Sequence, residues 1–514
     1  MPRLIFILAW TGCAVSGEWR LDTATTFDAS TASTDSPRDT YASPPPPEVE
    51  ADRLGLPPAQ TDVYVFIANP DYDSVTRVNV NTSEVRTTPV GVHPTAVATT
   101  SDYRTSVVFN EGDDSVSIID AATLDQRVVD VRANLNHLEL TVDGRWALLW
   151  RDAFAPDADE TADGLVSYNE VSFVELATGT HWPIVAGYRP RQALGTPDGR
   201  SVALISDDYL TLVDVSGNEP LPTLIRLEPD DLTPPAAEEA ILDPSGTWAM
   251  VRQFGATDLL YVDLVSQGLQ RVPVGDNPTD LDMAPDGRVA AVVARDDQSI
   301  WILDAADPLA PADVVTLPAG LEAGQLQFAS DAKSAVLYTT ASLIDRYAVW
   351  DVDAGTVTDR SLVKPAQTVS LSPDGGTLLV FHTLSDAPGT EAPFAGEWAM
   401  SMIALDSFVA SPLVLPSEPT GYAHSTDGSH GYFVMDGERS LVRLDYATLL
   451  NQEVALKSVP VFLGVLPDLT PGDPDSPRTW VSQDHSLGRI SFYDPDDGAL
   501  ETLTGFELNS GIEE

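Results

Sequence analysis

Between residues 61 and 506 a unit of roughly 40 to 55 residues keeps returning, and that recurrence constrains the fold more than any other feature of the chain. Its clearest mark is a turn after the first short apolar run. Examples are Ser101-Asp102, Val142-Asp143-Gly144, Thr196-Pro197-Asp198-Gly199, Asp243-Pro244-Ser245-Gly246 and Ala284-Pro285-Asp286-Gly287. The series continues through Ser330-Asp331, Ser372-Pro373-Asp374-Gly375 and Thr426-Asp427-Gly428 to a weak copy at Leu466-Pro467-Asp468. Proline presets φ, aspartate bonds the backbone ahead of it and glycine takes a positive φ, so these are hairpin turns.

A β-rich run follows each turn, as in Arg145 to Trp150, Val289 to Ala294 and Leu378 to His382. A third run ends in aspartate at Asp120, Asp214, Asp263, Asp304, Asp351, Asp445 and Asp494. A carboxylate there is placed to accept backbone N–H groups in the turn to a fourth strand, which makes these residues structural first. The expected fold is all-β: one β-propeller of four-stranded antiparallel blades, about eight to ten of them, counted as nine units after an incomplete first at 62–90.

Val108-Phe109-Asn110-Glu111-Gly112, followed by Val116 to Thr123, resembles the YVTN β-propeller repeat, and so does Phe66-Ile67-Ala68-Asn69. The lead-ins Gly91-Val92-His93-Pro94 and Gly275-Asp276-Asn277-Pro278 are similar to it as well. The resemblance implies a fold far more than a function. Small residues such as Ala96 and Ala98 on the innermost strand agree with converging blades.

The net charge of -50, from 78 acidic and 28 basic residues, excludes nucleic acid as a partner, because phosphate binding needs basic surface. Cys13 is the single cysteine, so the folded part has no disulfide framework and no cysteine metal site.

Met1-Pro2-Arg3, the apolar run Leu4 to Trp10 and the small pair Thr11-Gly12 have the layout of a secretory signal over residues 1–12. The segment resembles a bacterial lipoprotein signal, which implies lipidation of Cys13 and a cell-envelope location at the outer membrane or cell surface. An ordinary signal would instead leave the protein secreted or periplasmic. Residues 13–60, rich in Ser, Thr and Pro, read as a disordered tether. As a coil of about 45 residues it would span roughly 35 to 40 Å. Residues 507–514 are a C-terminal tail.

Three long acidic insertions, 152–168, 228–235 and 384–397, fall on one face of the expected blades, which makes that face a candidate binding surface. Asp157, Asp159 and Asp163 alternate as oxygen ligands do in calcium loops, although the twelfth-position glutamate of an EF-hand is missing. His137 with Glu139, Asp280 with Asp282, and His424 fall on first strands, where channel-facing groups can hold a metal or exchange protons. Nucleophile-elbow, zinc-protease, phosphate-loop and dinucleotide motifs are absent. The expectation is therefore a lipid-anchored binding or scaffold module for a protein or envelope component, without a cofactor except for calcium. The alternative is a lactonase- or lyase-like propeller enzyme using His137, Glu139, Asp282 and His424.

Overall fold

Each repeat becomes one four-stranded antiparallel sheet, with strands paired in chain order. The computed structural model describes residues 14–15, 59–155, 167–227, 235–467, 478–485 and 487–506. Ten blades follow one another at 59–89, 94–130, 137–185, 190–226, 237–273, 278–316, 325–361, 366–415, 419–455 and 460–504, numbered 1 to 10 below. The incomplete first unit is thus a full blade, whose innermost strand is the pair Ala59–Gln60.

Ten apolar clusters join these blades, each drawing its side chains from two consecutive ones. One of them sets Val65, Ile67 and Val78 of blade 1 against Trp480, Ile490 and Phe492 of blade 10, so the ring closes on itself. Closure uses no exchanged strand, since blades 1 and 10 are each built from consecutive segments. The amide of Gln60 fastens the seam instead: its Nε2 donates to the Val465 carbonyl, and its Oε1 accepts from Trp480 Nε1.

The turn chemistry is local. Glycines 144, 199, 246, 287, 375 and 428 all sit at φ between 66° and 69°, which a side chain would strain. Aspartates 102, 143, 198, 286, 331, 374 and 427 accept a backbone N–H two residues ahead in the same turns. All seven aspartates that end third strands accept backbone N–H bonds in the turn beyond. The bonds from the Thr123 and Thr448 backbones hold the Asp120 and Asp445 carboxyls below the usual carboxylate range.

Arginine links neighbouring blades on the face of these turns. Arg77 donates to Ala121 and Ala122 carbonyls, Arg127 to Ala177, Arg145 to Val215 and Gly217, Arg443 to Pro495, and Arg478 to Val80 across the ring seam. In each case the acceptor lies in the turn between the third and fourth strands of the next blade. A guanidinium suits this task because its fork offers several donors in a fixed plane.

The residues that carry the repeat resemblance have a buried polar role. Asn69 Nδ2 donates to Ser74 Oγ and Thr76 Oγ1, and Asn110 Nδ2 to Ser115 Oγ and Ser117 Oγ. His382 of blade 8 and Gln483 of blade 10 take the same place at the end of the second strand, bonded to Ser401 and Ser491.

Candidate binding face

Two rims enclose the ring. One carries the tight turns already described; the other carries the loops between second and third strands and the connectors between blades. Of the three long insertions, 384–397 lies on this second rim, the loop face, whereas 156–166 and 228–234 lie outside the described residues. Of the residues expected to act there, Asp157, Asp159 and Asp163 lie outside the described residues.

The loop 384–397 of blade 8 is held from below by Lys364, which is fully buried. Its Nζ donates to the carbonyls of Leu384 (2.9 Å), Phe394 (3.3 Å) and Glu397 (2.7 Å), and lies 2.8 Å from Asp386 Oδ1. The ammonium thus fills the place that a small cation would take among these oxygens, and it draws the Asp386 carboxyl below its ordinary pKa. Lys364→Met is expected to cost about 3 kcal/mol, the scale of losing charged hydrogen bonds to buried carbonyls. Limited proteolysis read by mass spectrometry should then show new cleavage confined to 384–397. Unchanged digestion would contradict the role. Lys364→Arg should fail to rescue, because a planar guanidinium does not match acceptors spread around a point charge.

The proposed channel residues fall on three different blades: His137 and Glu139 on blade 3, Asp282 on blade 6 and His424 on blade 9. His137 and Glu139 share the first strand of blade 3, with Nε2 and Oε2 3.9 Å apart and the imidazole tilted 34° against the Trp150 ring. His424 of blade 9 is buried instead of facing the channel. It lies between Ser370 Oγ of blade 8 (2.9 Å) and the Tyr446 hydroxyl (2.6 Å). Gly431 makes that pocket: a Cβ there would lie 2.6 Å from the tyrosine hydroxyl. Among the described residues, one group of three acids or histidines comes within metal-ligand reach: Glu239, Asp280 and Asp282, with ligand atoms within 4.8 Å of one another. It does not include His137, Glu139 or His424. Arg252 Nε donates to Glu239, and Asp280 accepts the Leu326 backbone N–H of the next blade, so structural bonds already engage two of its members.

Sequence reading missed the aromatic residues of the loop face. The aromatic side chains exposed among the described residues are Tyr72, Phe154, Tyr188 and Phe254. All four stand on second-to-third-strand loops or blade connectors, hence on this one rim. Over blades 3 and 4 two of them, Phe154 and Tyr188, join a ladder of stacked groups. Arg191 lies 3.9 Å from the Phe154 ring centroid, Arg189 lies 4.9 Å from Phe154 and 5.4 Å from Tyr188, and Tyr188 lies 6.1 Å from Tyr168. Both guanidiniums are pinned by one carboxylate, Asp207, at 2.5 and 2.6 Å. Beside the ladder opens a shallow cavity of about 610 Å³ whose walls include Arg132, Ser167, Tyr168, Asn169, Glu170 and Tyr188. The signal in the sequence was faint: Tyr188-Arg189-Pro190-Arg191 sits in a blade connector, and nothing local announces that Phe154 folds onto it.

No family model matches the chain, and no curated protein matches its sequence. Solved structures do resemble it. A structure described as that of the eukaryotic initiation factor is 12% identical over 77% of this chain and 97% of its own, with a TM-score of 0.53. The dihydro-heme d1 dehydrogenase NirN is 14% identical over 78% of this chain and 73% of its own, at a TM-score of 0.44. The β-propeller domain of Myceliophteria thermophila Cps50 (Swd1) is 16% identical over 57% of this chain and 94% of its own, at 0.35. At these identities the likeness is one of fold alone: the chain is a β-propeller of ten blades.

Proposed function

We propose that this propeller is a binding module of the cell envelope, which engages an envelope component through its loop face and performs no chemistry of its own. The observation that carries the reading is the gathering of the exposed aromatic residues, Tyr72, Phe154, Tyr188 and Phe254, on that rim. Aromatic and arginine side chains dominate binding surfaces because they offer large, stiff contact area with a polar edge. Lipidation of Cys13 would tether the ring at a membrane by way of residues 13–60, in keeping with the signal-like N-terminus.

The test is capture from solubilised envelope extract. The immobilised full chain should retain a component that the fourfold variant Tyr72→Ala, Phe154→Ala, Tyr188→Ala, Phe254→Ala no longer retains. Equal retention by both proteins would defeat the reading. Metabolic labelling with a radioactive fatty acid should mark the wild-type protein and leave Cys13→Ser unmarked. Absence of label from the wild type would remove the anchor.

A further inference from the structure

Resting on that reading, we infer that the cavity beside the arginine–aromatic ladder binds a neutral carbohydrate chain. Charge narrows the ligand first. A chain carrying -50 repels polyanions at long range, and it attracts polycations over its whole surface. At this spot Arg132, Arg189 and Arg191 are interleaved with Glu170, Asp207, Asp208 and Glu238, so charges of both signs are paired and neither sign is left in surplus to select a charged ligand. A ligand specific to the site is therefore close to neutral.

The wall chemistry narrows it further. Ala133 is the one aliphatic side chain of the lining, so an aliphatic peptide anchor would find no apolar hole to fill. What the cavity offers is two tyrosine rings tilted 56° to each other, and a rim of hydroxyl, amide, guanidinium and carboxylate groups. Donors and acceptors alternate there. Arg132 Nη2 lies 3.3 Å from Glu170 Oε1, and both groups remain partly open to solvent. A pyranose has the matching two-sided form, with a C–H face that packs on a ring and a hydroxyl edge that donates and accepts. Tyrosine supplies both an apolar plate and a hydroxyl. The volume, about 610 Å³, fits a short stretch of such a chain. Because Asp207 pins the ladder, little ordering is needed when a ligand arrives.

The experiment is isothermal titration of the full chain with neutral hexasaccharides of glucose (β-1,4 and α-1,4 linked) and of N-acetylglucosamine. An oligogalacturonate and an uncharged peptide rich in leucine serve as the opposing probes. At least one neutral hexasaccharide should bind with a Kd below about 1 mM. Tyr188→Ala and Arg132→Ala should each weaken it by about tenfold or more, whereas Val265→Ala, at an exposed site on the opposite rim, should leave it unchanged. Tyr188 is 52% exposed, so its truncation spares the fold, and an unchanged unfolding temperature would confirm this. Failure of every neutral sugar overturns the inference. So does binding that Tyr188→Ala leaves intact, or preference for the oligogalacturonate or the peptide. Envelope capture that depends on the aromatic face, together with failure of the sugars, would sink this inference alone; loss of both would sink the binding module as well.

Discussion

Acidification from pH 7 to pH 4 is expected to remove a large part of the stability of this ring, before its turn carboxylates protonate. Two buried histidines set the effect. Burial pushes the pKa of His382 and of His424 down to about 4 from an ordinary 6.5. His382 donates from Nδ1 to the Pro365 carbonyl and accepts at Nε2 from Ser401, an arrangement that satisfies the neutral ring. The folded pKa lies below the unfolded one, so the contribution is complete above pH 6.5 and is lost as pH falls towards 4, where the unfolded chain takes up protons that the folded chain refuses. A shift of this size corresponds to about 3 kcal/mol per histidine, or about 6 for the pair, against a typical net stability of about 5 to 15. His181 and His430 are shifted in the same direction, also by burial. Urea midpoints measured at half-unit steps of pH should fall steadily between 6.5 and 4, and His382→Gln should flatten part of that slope even if it lowers the midpoint at pH 7. A flat profile across this window would contradict the burial described. The capped aspartates act lower: their folded pKa values lie below 3.8, so their share is lost only as pH drops further.

Trp480→Ala is expected to cost about 3–5 kcal/mol, the range for emptying a buried aromatic site. Its consequence exceeds that of an ordinary core residue because of its place. Trp480 lies at the seam between blades 10 and 1, fully buried beneath Gly464, where a Cβ would meet its ring at 2.5–2.7 Å. No strand crosses that seam, so side chains alone resist its opening. Native-state hydrogen exchange should accelerate first in Tyr64–Asn69 and Thr479–Gln483, with Trp248–Gln253 of blade 5 lagging. Equal acceleration around the whole ring would show that the seam is no weaker than the other interfaces.

What the sequence disclosed follows from the range of each interaction. The aspartates at 120, 214, 263 and 445 were legible because donor and acceptor lie two or three residues apart. A single ring of about eight to ten blades was legible because the turn signal repeats; the structure has ten, the incomplete first unit being a full blade. The arginine links were not: Arg145 reaches carbonyls 70 and 72 residues onward, and no local pattern marks the acceptor. Nor was the role of Lys364, one of the chain's three lysines, since its partners are backbone carbonyls of a loop 20 to 33 residues away. His424 shows the limit of strand alternation. Its ring is buried between Ser370 of the neighbouring blade and the Tyr446 hydroxyl, which itself lies over Gly431. The aromatic ladder depends on three segments meeting, around Phe154, Tyr168 and Tyr188, so only the folded chain displays it.

Binding on the loop face should be visible in hydrogen–deuterium exchange measured with and without the captured envelope component. Protection is predicted in the connectors and loops at 131–136, 151–155, 167–170, 186–190 and 253–258. The tight turns of the opposite rim, at 142–145, 197–200, 284–288 and 373–376, should exchange as before. Protection of those turns, with the loop face unchanged, would contradict the account.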